Sequence, residues 1–495
     1  MKRVLNTVLL ASLCSIATAQ SDVDALRYST TSLGSTARSL SVGGAFGALG
    51  ADLSSATINP AGFGMYRNNQ FVLSAGMINA KSTGDYLGSS RSDNEFNLNI
   101  PNIGLVFTNR HFDGRKPAKK GWIFTNFALG VNRVNNFKAI ANYGGVNSQS
   151  SMLDYFAQRA DGLSVTEIGG TDNEFDFGFN DIEVMAWEAY LIDSVGDRQY
   201  GAAIDPNARG ISQKQVISTS GGMNDYYLQL AANYNNVLYL GGGVTVTSVR
   251  YEERDRFRET DDVDMGAPWE VWELERFLKT TGVGVSGRLG MIVKPVQWLR
   301  TGIALQTPAI YNLTDEYIDD LFSQMDDGNY YEYQSKEGRF EYKLTTPMRT
   351  TLSLAGVLGK QGFISTDVEF VDYSTMRLRP TIDAFEAAND LISEKYGNTV
   401  NLRIGGEYVK GMYRFRGGYA RYGSPFKSTS AGEATNNFIT GGVGLQDDNW
   451  ALDLALVHRR SSRQIQPYAL NGIPVDVADI SDKNNQLVIT LRSSF

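Results

Sequence analysis

The chain of 495 residues carries 46 Lys and Arg against 54 Asp and Glu, a formal net charge of −8. This balance argues against a nucleic-acid-binding protein. A single Cys and two His exclude an internal disulfide framework and leave too few of the usual ligands for a zinc site. We therefore expect no cofactor, no metal and no nucleic-acid partner.

Residues 1–19 have the features of a secretory signal peptide. Lys2 and Arg3 precede a mostly apolar stretch, residues 4–16, that is too short to cross a membrane, and residues 17–19 form an A-x-A cleavage site. Cleavage there would remove Cys14, the one cysteine, together with two positive charges, and would lower the net charge from −8 to −10. The sequence thus predicts an exported protein.

The rest of the chain alternates between apolar and polar residues with period two. At the C-terminus, Leu487, Ile489 and Leu491 face one way, while Val488 and Thr490 face the other. No stretch after residue 19 has eighteen consecutive apolar residues, which argues against membrane helices. The alternating segments are longer than the usual strands of a soluble sandwich and fit strands of ~9–11 residues that cross a membrane at a tilt of ~45°. We predict an all-β, transmembrane antiparallel β-barrel.

Fourteen strands are predicted, an even number as expected of bacterial single-chain barrels. Their ranges are 69–80, 96–109, 121–134, 221–234, 237–250, 277–294, 298–312, 338–359, 362–378, 399–410, 412–426, 436–448, 450–468 and 484–495. Short turns between them are predicted to be periplasmic. The longer loops, near 135–220, 251–276, 313–337, 379–398 and 427–435, are predicted to be extracellular. Helical patterns at 152–156, 184–191 and 382–392 either cap the barrel mouth or offer an apolar surface to a ligand.

Aromatic residues near the predicted strand ends indicate rings at the two membrane interfaces. They are Tyr66, Trp122, Trp298, Tyr311, Tyr373, Tyr422, Trp450 and Tyr468. The chain ends on Phe495, which closes an alternating strand and resembles the C-terminal signal that is read by the barrel assembly machinery. We therefore expect insertion into the outer membrane, contact with its lipids, and a monomer.

Residues 20–66 do not have the pattern of barrel strands. Small residues dominate this segment, so its backbone can turn tightly and pack closely against a wall. Asn59 and Pro60 form a turn signal within it. We interpret the segment as a hatch that plugs the lumen, followed by the barrel at residues 67–495.

One string in the segment resembles the N-terminal hatch signature of the FadL/TodX family. It is carried by Gly43, Gly44, Ala45, Ala48, Asp52, Ser54, Asn59, Pro60, Ala61 and Gly62. That family comprises outer-membrane transporters for long-chain fatty acids and aromatic hydrocarbons. The resemblance implies a fourteen-stranded barrel with a hatch, ligand capture at the extracellular loops, and release sideways through a gap near the third strand.

Two sets of residues are candidates for the site. Phe46 and Phe63 are proposed as anchors of the hatch and as ligand contacts. A set of charged residues on three successive strands is predicted to face inward: Asp367, Glu369, Arg403, Glu407, Arg414 and Arg416. They form a salt-bridge ladder, or Arg414 and Arg416 hold a carboxylate head group.

Passive uptake of a hydrophobic small molecule is the leading functional hypothesis. The alternatives are a structural or adhesin-type barrel and a porphyrin (hemin) receptor. An enzyme would have to use His111 or His458, and no G-x-S-x-G string is present, so we expect no catalysis. The G-x-G-x-x-G string at residues 282–287 lies inside a predicted strand, where a dinucleotide site is not formed.

Overall fold

The barrel is one closed antiparallel sheet of fourteen strands, as predicted. The computed structural model describes residues 22–169, 182–204, 210–262, 266–380, 385–427 and 435–495, so the predicted signal peptide lies outside the described residues. Each strand pairs with its neighbour in the chain, and the last strand pairs with the first. The strands are β1 Gln70–Tyr86, β2 Ser89–Arg110, β3 Trp122–Asn136 continued by Ala139–Asn147, β4 Ile211–Tyr234, β5 Leu238–Thr260, β6 Trp269–Val296, β7 Leu299–Gln306 continued by Ile310–Met325, β8 Gly338–Thr345 continued by Arg349–Val357, β9 Gly362–Asp372 continued by Arg377–Arg379, β10 Asn398–Lys410, β11 Tyr413–Tyr422, β12 Asn436–Gln446, β13 Trp450–Ile465 and β14 Ala478–Ser494.

The two faces of each strand differ in character as the alternation predicts. On β14, Ile489 and Leu491 are more than two-fifths exposed, whereas Val488 and Thr490 are completely buried. Leu240 and Val244 are outward residues of the same kind on β5. A closed barrel whose outer face carries an apolar band is a membrane-spanning barrel, because only lipid can cover that band. Among the described residues, no helix is long and apolar enough to cross a membrane.

Several strands are longer than predicted, because they continue beyond the membrane. The predicted loop at 251–276 is strand up to residue 260 and again from residue 269. Buried Asp255 and Phe257 alternate there with exposed Arg254, Arg256 and Arg258, so the period of two does not stop at the membrane. The loop prediction was wrong in this segment because it assumed that a strand ends where the apolar band ends.

Proline interrupts two strands that were predicted to be continuous. Thr307-Pro308 splits β7 and Thr346-Pro347 splits β8. Proline cannot donate to the ladder, and the preceding threonine hydroxyl bonds to the neighbouring strand instead: Thr307 Oγ1 accepts from Gly287 N at 2.9 Å, and Thr346 Oγ1 accepts from Ala309 N at 2.9 Å. The breaks change the register locally without opening the sheet.

The aromatic residues fall into two groups rather than two rings. Trp122, Trp298 and Trp450 are 40% to 60% exposed at the end of the barrel that carries the short turns, as expected of an interfacial ring. Tyr311 and Tyr373 are buried, as are Tyr66 and Tyr468. The prediction was wrong for these tyrosines, because position near a strand end does not determine which face a side chain occupies.

Short helices lie in the N-terminal segment and in the long loops. They are α1 Asp22–Ser29, α2 Ala37–Leu40, α3 Met152–Ala160, α4 Val165–Ile168, α5 Ile182–Glu188 and α6 Glu386–Lys395. Three of them, α3, α5 and α6, coincide with the predicted helical patterns. Residues 382–384 of the last pattern lie outside the described part.

Helices α3–α5 pack on the far ends of β5, β6 and β7 and form a module, here called the extracellular module because its loops are predicted to be extracellular. Its core is apolar and includes Phe156, Met185, Phe257, Trp269 and Trp272. Both tryptophans are completely buried. The module therefore has a core of its own, separate from the lumen.

Glu259 on β5 is completely buried within this module. Its carboxylate accepts hydrogen bonds from Met152 N at 3.0 Å, Gln213 Nε2 at 2.8 Å and Trp272 Nε1 at 3.1 Å, and from the Ser151 hydroxyl. Because a strand crosses the bilayer in ~9–11 residues, this part of β5 lies beyond the membrane. Burial raises the pKa of Glu259 to about 7, although the four hydrogen bonds favour the ionised form.

We expect the extracellular module to lose stability as the pH rises from about 4.5 to about 7. The pKa of Glu259 is higher in the folded module than its ordinary value of 4.5, so the folded module holds the proton that the unfolded one has lost. The free energy of unfolding then falls through this window by on the order of 3 kcal/mol. Hydrogen exchange of the α3 amides, corrected for intrinsic rates, measures it. Glu259→Gln should remove the pH dependence, whereas Asp193→Asn, an exposed carboxylate of the same module, should keep it.

Phe495 follows the last strand, and its backbone N–H donates to Asn69 O at 3.1 Å. Its ring is 65% exposed, so it contributes little packing. We expect Phe495→Asp to lower the amount of assembled barrel severalfold, because assembly and not stability depends on this ring. The heat-modifiable band of unboiled membrane samples measures assembly, with transcript level as the control. Unchanged assembly would contradict this role.

Candidate functional site

Residues 22–66, here called the N-terminal segment, lie in the lumen and bond to inward-facing side chains around the wall. Ala37 N donates to Thr490 Oγ1 of β14 at 2.8 Å, and Gly43 N donates to Thr440 Oγ1 of β12 at 2.9 Å. Farther along, Asn126 of β3 donates to Phe63 O at 2.6 Å. None of the described strand ladders includes a residue of this segment, so the ring closes without it.

Glycines allow the segment and the wall to approach each other closely. Gly43 has a φ of +65°, and a Cβ there would lie 2.8 Å from Tyr419 O. The wall carries matching glycines: a Cβ on Gly405 or Gly418 would lie 2.2 Å from backbone atoms of Val42. Gly44 also has a positive φ. These glycines therefore serve the contact between the segment and the wall. The small residues of the segment predicted such close packing, whereas the matching glycines of the wall had not been identified.

Asp52 and Asn59 each begin a short 3-10 helix in the N-terminal segment. Asp52 Oδ1 accepts from Ser54 N at 3.0 Å and from Thr36 Oγ1 at 2.7 Å. Asn59 Oδ1 accepts from Ala61 N at 3.1 Å, and its Nδ2 donates to Gly47 O at 2.8 Å. The same Nδ2 lies 3.4 Å from the backbone oxygens of β6 and β7 at residues 291 and 303. Asn59 thus ties the segment to itself and to the wall.

Pro60 and Ala61 pack directly on the barrel wall. A Cβ on Gly241 of β5 would lie 2.4 Å from Pro60 C, so β5 can pass here only because it carries glycine. Ala61 is completely buried against Tyr239 and Ile292. These two residues of the hatch string are packing residues.

Phe46 and Phe63 are buried between the segment and the wall. Phe46 meets Phe363 of β9 edge-on at 6.2 Å between ring centroids, and Phe63 contacts Tyr66 and Tyr227 at 6.0 and 6.2 Å. Neither ring lines the large cavity described below. The structure therefore places both phenylalanines as anchors of the segment.

A first group of buried ion pairs centres on Glu369 of β9. Its carboxylate accepts from Arg349 of β8 at 2.9 Å and from Arg403 of β10 at 2.8 Å. Asn401 donates to it as well, at 2.8 Å. Arg349 also donates to Ser29 O at 2.6 Å. One carboxylate thus joins three strands, and one of its arginines holds the N-terminal segment.

A second group centres on Asp453 of β13. It accepts from Arg416 of β11 at 2.6 Å and from Arg492 of β14 at 3.0 Å. Glu407 of β10 accepts from the other side of Arg416, also at 2.6 Å. The side chains of Arg416 and Asp453 are buried. This group ties four strands together at the lumen face.

Two of the charged residues predicted to face inward have other roles. Asp367 accepts from Phe46 N and Gly47 N, both at 3.0 Å, and so binds the N-terminal segment directly. Arg414 donates to Gly411 O and Tyr413 O within its own turn, at 2.7 and 3.1 Å. The structure does not bring Arg414 to Arg416, which is already occupied by two carboxylates. The idea that these two arginines share a head group is not supported by this geometry.

Sequence reasoning missed several of the buried charges that face the lumen in the described part of the chain. Arg349, Asp453 and Arg492 were not selected, nor was the pair Arg288–Asp225 that links β6 and β4 at 3.4 Å. All of them lie at inward-facing positions of strands in which apolar and polar residues alternate. This alternation is the sequence signal that could have identified them.

The sheet has a gap between β2 and β3. The β2–β3 ladder runs only from Asn102–Asn132 to Arg110–Phe124. Beyond Asn132, β3 breaks at residues 137–138, and its continuation Ala139–Asn147 pairs with β4 and lies against β1 and β2. Only side chains join it to β2 here: Asn142 Nδ2 donates to Asp93 at 2.8 Å, and Lys138 pairs with Glu95 at 3.2 Å. Among the described strands, none pairs with Ser89–Pro101 of β2 on this side.

A cavity of about 610 Å³ lies in the lumen next to the break in β3. It has charged lining residues, which are Arg27, Lys81, Lys138, Glu253, Arg459, Arg463 and Asp482. It also has apolar ones, among them Phe137, Ile140, Ile217, Tyr251 and Phe438. Its size falls within the range of small-molecule sites, and its lining suits a molecule with both polar and apolar parts.

Arg459 differs from Arg27 and Arg463, the two other arginines of this cavity. Arg27 pairs with Glu253 at 3.7 Å, and Arg463 pairs with Asp482 at 3.8 Å. The guanidinium of Arg459 instead donates to Asn436 Oδ1 at 2.9 Å and to a serine hydroxyl. Its printed hydrogen bonds thus go to neutral oxygens, and Asp482 of the same lining acts on its charge without a direct bond, so the guanidinium can still bind an anion.

The two histidines have ordinary polar surroundings. His111 Nε2 lies 2.8 Å from Thr125 Oγ1, and His458 Nδ1 lies 2.7 Å from Asn485 Oδ1. Residues 282–287 lie within β6, as the sequence predicted. Within the described residues, no group of three His, Cys, Asp or Glu side chains could hold a metal ion.

No protein-family model and no curated protein sequence matches the chain. Solved structures do match it. A Pseudomonas aeruginosa FadL homologue has a TM-score of 0.53 at 12% identity, covering 94% of this chain and 99% of its own. The Pseudomonas putida toluene transporter TodX matches with a TM-score of 0.51 at 12% identity, and the match covers 93% of this chain and 98% of TodX. The Ralstonia pickettii toluene transporter TbuX matches with a TM-score of 0.50 at 14% identity, and the match covers 93% of this chain and 98% of TbuX. The chain therefore has the barrel fold of the FadL and TodX transporters, and the resemblance read from its sequence is confirmed at the level of fold.

Proposed function

We propose that the protein is an outer-membrane channel for the passive uptake of hydrophobic molecules that carry an anionic head group, such as long-chain fatty acids. The observation that carries the proposal is the cavity of about 610 Å³, which combines charged and apolar lining and adjoins the gap between β2 and β3. The structurally similar proteins include toluene transporters and a FadL homologue, which supports a hydrophobic ligand.

The proposed path runs from the extracellular loops to the cavity and then sideways through the gap. The N-terminal segment acts as the plug that blocks the axial route. Close to the gap, Phe96, Leu98 and Ile100 of β2 are 54% to 70% exposed on the outer face. A ligand leaving here would enter an apolar environment without crossing a wall of hydrogen-bonded strands.

Arg459 makes a fatty acid a better candidate than an aromatic hydrocarbon. A carboxylate can bond to a guanidinium that neutral groups hold, whereas toluene would leave the charge without a partner. This assignment replaces the head-group site proposed from the sequence at Arg414 and Arg416. An adhesin does not account for a cavity with this lining at the gap.

Uptake assays in a strain lacking its own transporters of long-chain fatty acids test the proposal. Cells producing the protein should take up labelled oleate faster than cells with an empty vector. Arg459→Gln should lower the initial rate roughly tenfold, which matches the loss of one charged hydrogen bond. Arg460→Gln is the matched control, since Arg460 is exposed on the neighbouring outward position.

The outcomes test the identity of the ligand and the transport function separately. Loss of oleate uptake in Arg459→Gln with unchanged membrane levels supports the assignment. Faster uptake of toluene than of oleate, insensitive to Arg459→Gln, would retain a channel but reject the anionic head group. No uptake of either molecule above the empty vector would reject the transport function.

A further inference from the structure

The outward face of β5 changes abruptly along the strand. Leu240, Val244 and Val246 are exposed apolar residues of the membrane band. Beyond them, four outward positions carry arginine. We call these residues the arginine stripe: Arg250, Arg254, Arg256 and Arg258. Their side chains are between 50% and 67% exposed.

The stripe begins at the height of the outer-leaflet head groups. At ~3.3 Å per residue and a strand tilt of 35–45°, Arg250 lies about 10 Å beyond Val246 and Arg258 lies about 30 Å beyond it. The head-group region starts where the apolar band ends. The guanidinium groups therefore lie alongside lipid head groups and any saccharide attached to them.

Acidic neighbours neutralise the stripe only in part. Arg250 pairs with Glu252 at 2.7 Å, and Arg258 pairs with Glu273 at 2.8 Å. Arg254 and Arg256 share Glu275, each at 2.8 Å.

Only one of the two strands that flank the stripe, β6, contributes carboxylates next to it. On β4, the residues paired with Arg254, Arg256 and Arg258 are Ser218, Val216 and Lys214. On β6, they are Phe277, Glu275 and Glu273. Lys279 of β6 lies opposite Glu252. Six cations thus face three carboxylates on the outward positions of these three strands, and the excess charge is positive.

We propose that the arginine stripe binds the phosphorylated saccharide head of an anionic glycolipid of the outer leaflet. Guanidinium groups match phosphate in a two-pronged geometry, and a row of them just above a membrane attracts anionic lipid. The lipid chains would lie on Leu240, Val244 and Val246, so one lipid molecule contacts both the apolar band and the arginine stripe of β5. The proposal requires the outer-membrane location but is independent of the transported ligand.

Titration of the detergent-purified protein with purified lipopolysaccharide tests the inference. A variant with all four arginines changed to Gln should bind with a dissociation constant raised at least about tenfold, equivalent to about 1.4 kcal/mol. The matched control changes Arg115, Lys116, Lys119 and Lys120 to Gln. These four cations are exposed on the turn between β2 and β3, at the opposite rim, and their loss should leave binding unchanged. Heat-modifiable mobility verifies that both variants fold.

Further probes need no variant. Wild-type protein should bind lipopolysaccharide whose phosphates have been removed at least about tenfold more weakly, and binding should weaken with salt. Equal binding of intact and dephosphorylated lipopolysaccharide would overturn the proposal. So would equal binding by the arginine-stripe variant. Inorganic phosphate that competes at the same concentration as lipopolysaccharide would indicate a site for free anions and would also overturn it. Unchanged oleate uptake in the arginine-stripe variant separates this surface from the transport path.

Discussion

Removal of residues 20–64 is expected to leave a folded barrel that conducts small polar ions. The strand ladders close without the N-terminal segment, so its loss removes no barrel pairing. Fourteen strands enclose more space than inward side chains can fill. The emptied lumen should therefore hold water, and the buried charges Asp367 and Glu369, which now lie under the segment, should become solvated.

Planar-bilayer recordings measure the effect. Single-channel conductance should rise by at least about tenfold over the intact protein, whose lumen is filled. Selective uptake of oleate should be lost, because the cavity uses Arg27 and residues 30–32 of the segment as part of its lining. A folded deletion variant with no added conductance would show that the segment is not the plug.

Asn59→Ala provides a milder companion to the deletion. The change removes the bond to Gly47 O and the cap on Ala61 N but keeps the bulk of the segment in the lumen. We expect the barrel to stay closed to ions and oleate uptake to slow severalfold, because the segment loses one of its fixed points. Wild-type uptake would remove Asn59 from the mechanism.

The sequence reveals the barrel because the period of two is local. The inward and outward faces of a strand can be predicted from its own residues, without knowing which strands it pairs with. Val488 and Ile489, which lie on opposite faces, are an example. The breaks in β7 and β8 could also have been read, since Pro308 and Pro347 stand inside predicted strands, where proline is disfavoured. The prediction treated these strands as continuous because it weighed alternation over the missing donor.

The site could not be read in the same way, because its contacts are distant in sequence. Asp367 meets Phe46 across 321 residues, and Asn59 meets β7 across 244. Such pairs depend on the register of the whole ring. The break in β3 has a local signal, Asn135-Asn136, whose side-chain oxygens accept from the backbone N–H groups of Asn136 and Lys138. The predicted strand ended beside it, at residue 134, but the cavity depends on how the ring closes. For the same reason Arg414 was selected and Arg459 was not, although both are arginines on inward positions.

The last expected result concerns the ion pairs that cross the wall. Asp453→Asn should lower the free energy of unfolding of the barrel by roughly 3–5 kcal/mol, the usual cost of removing one partner of a buried ion pair. Asparagine keeps the shape of the side chain but not its charge. Arg492 then loses the carboxylate to which it bonds at 3.0 and 3.1 Å, while Arg416 keeps Glu407.

Reversible urea unfolding of the detergent-solubilised protein measures the change. Asp448→Asn, an exposed carboxylate in the turn that precedes β13, is the control and should shift stability by less than about 0.5 kcal/mol. If Asp453→Asn is no more destabilising than this control, the two arginines are stabilised by water in the lumen and not by Asp453.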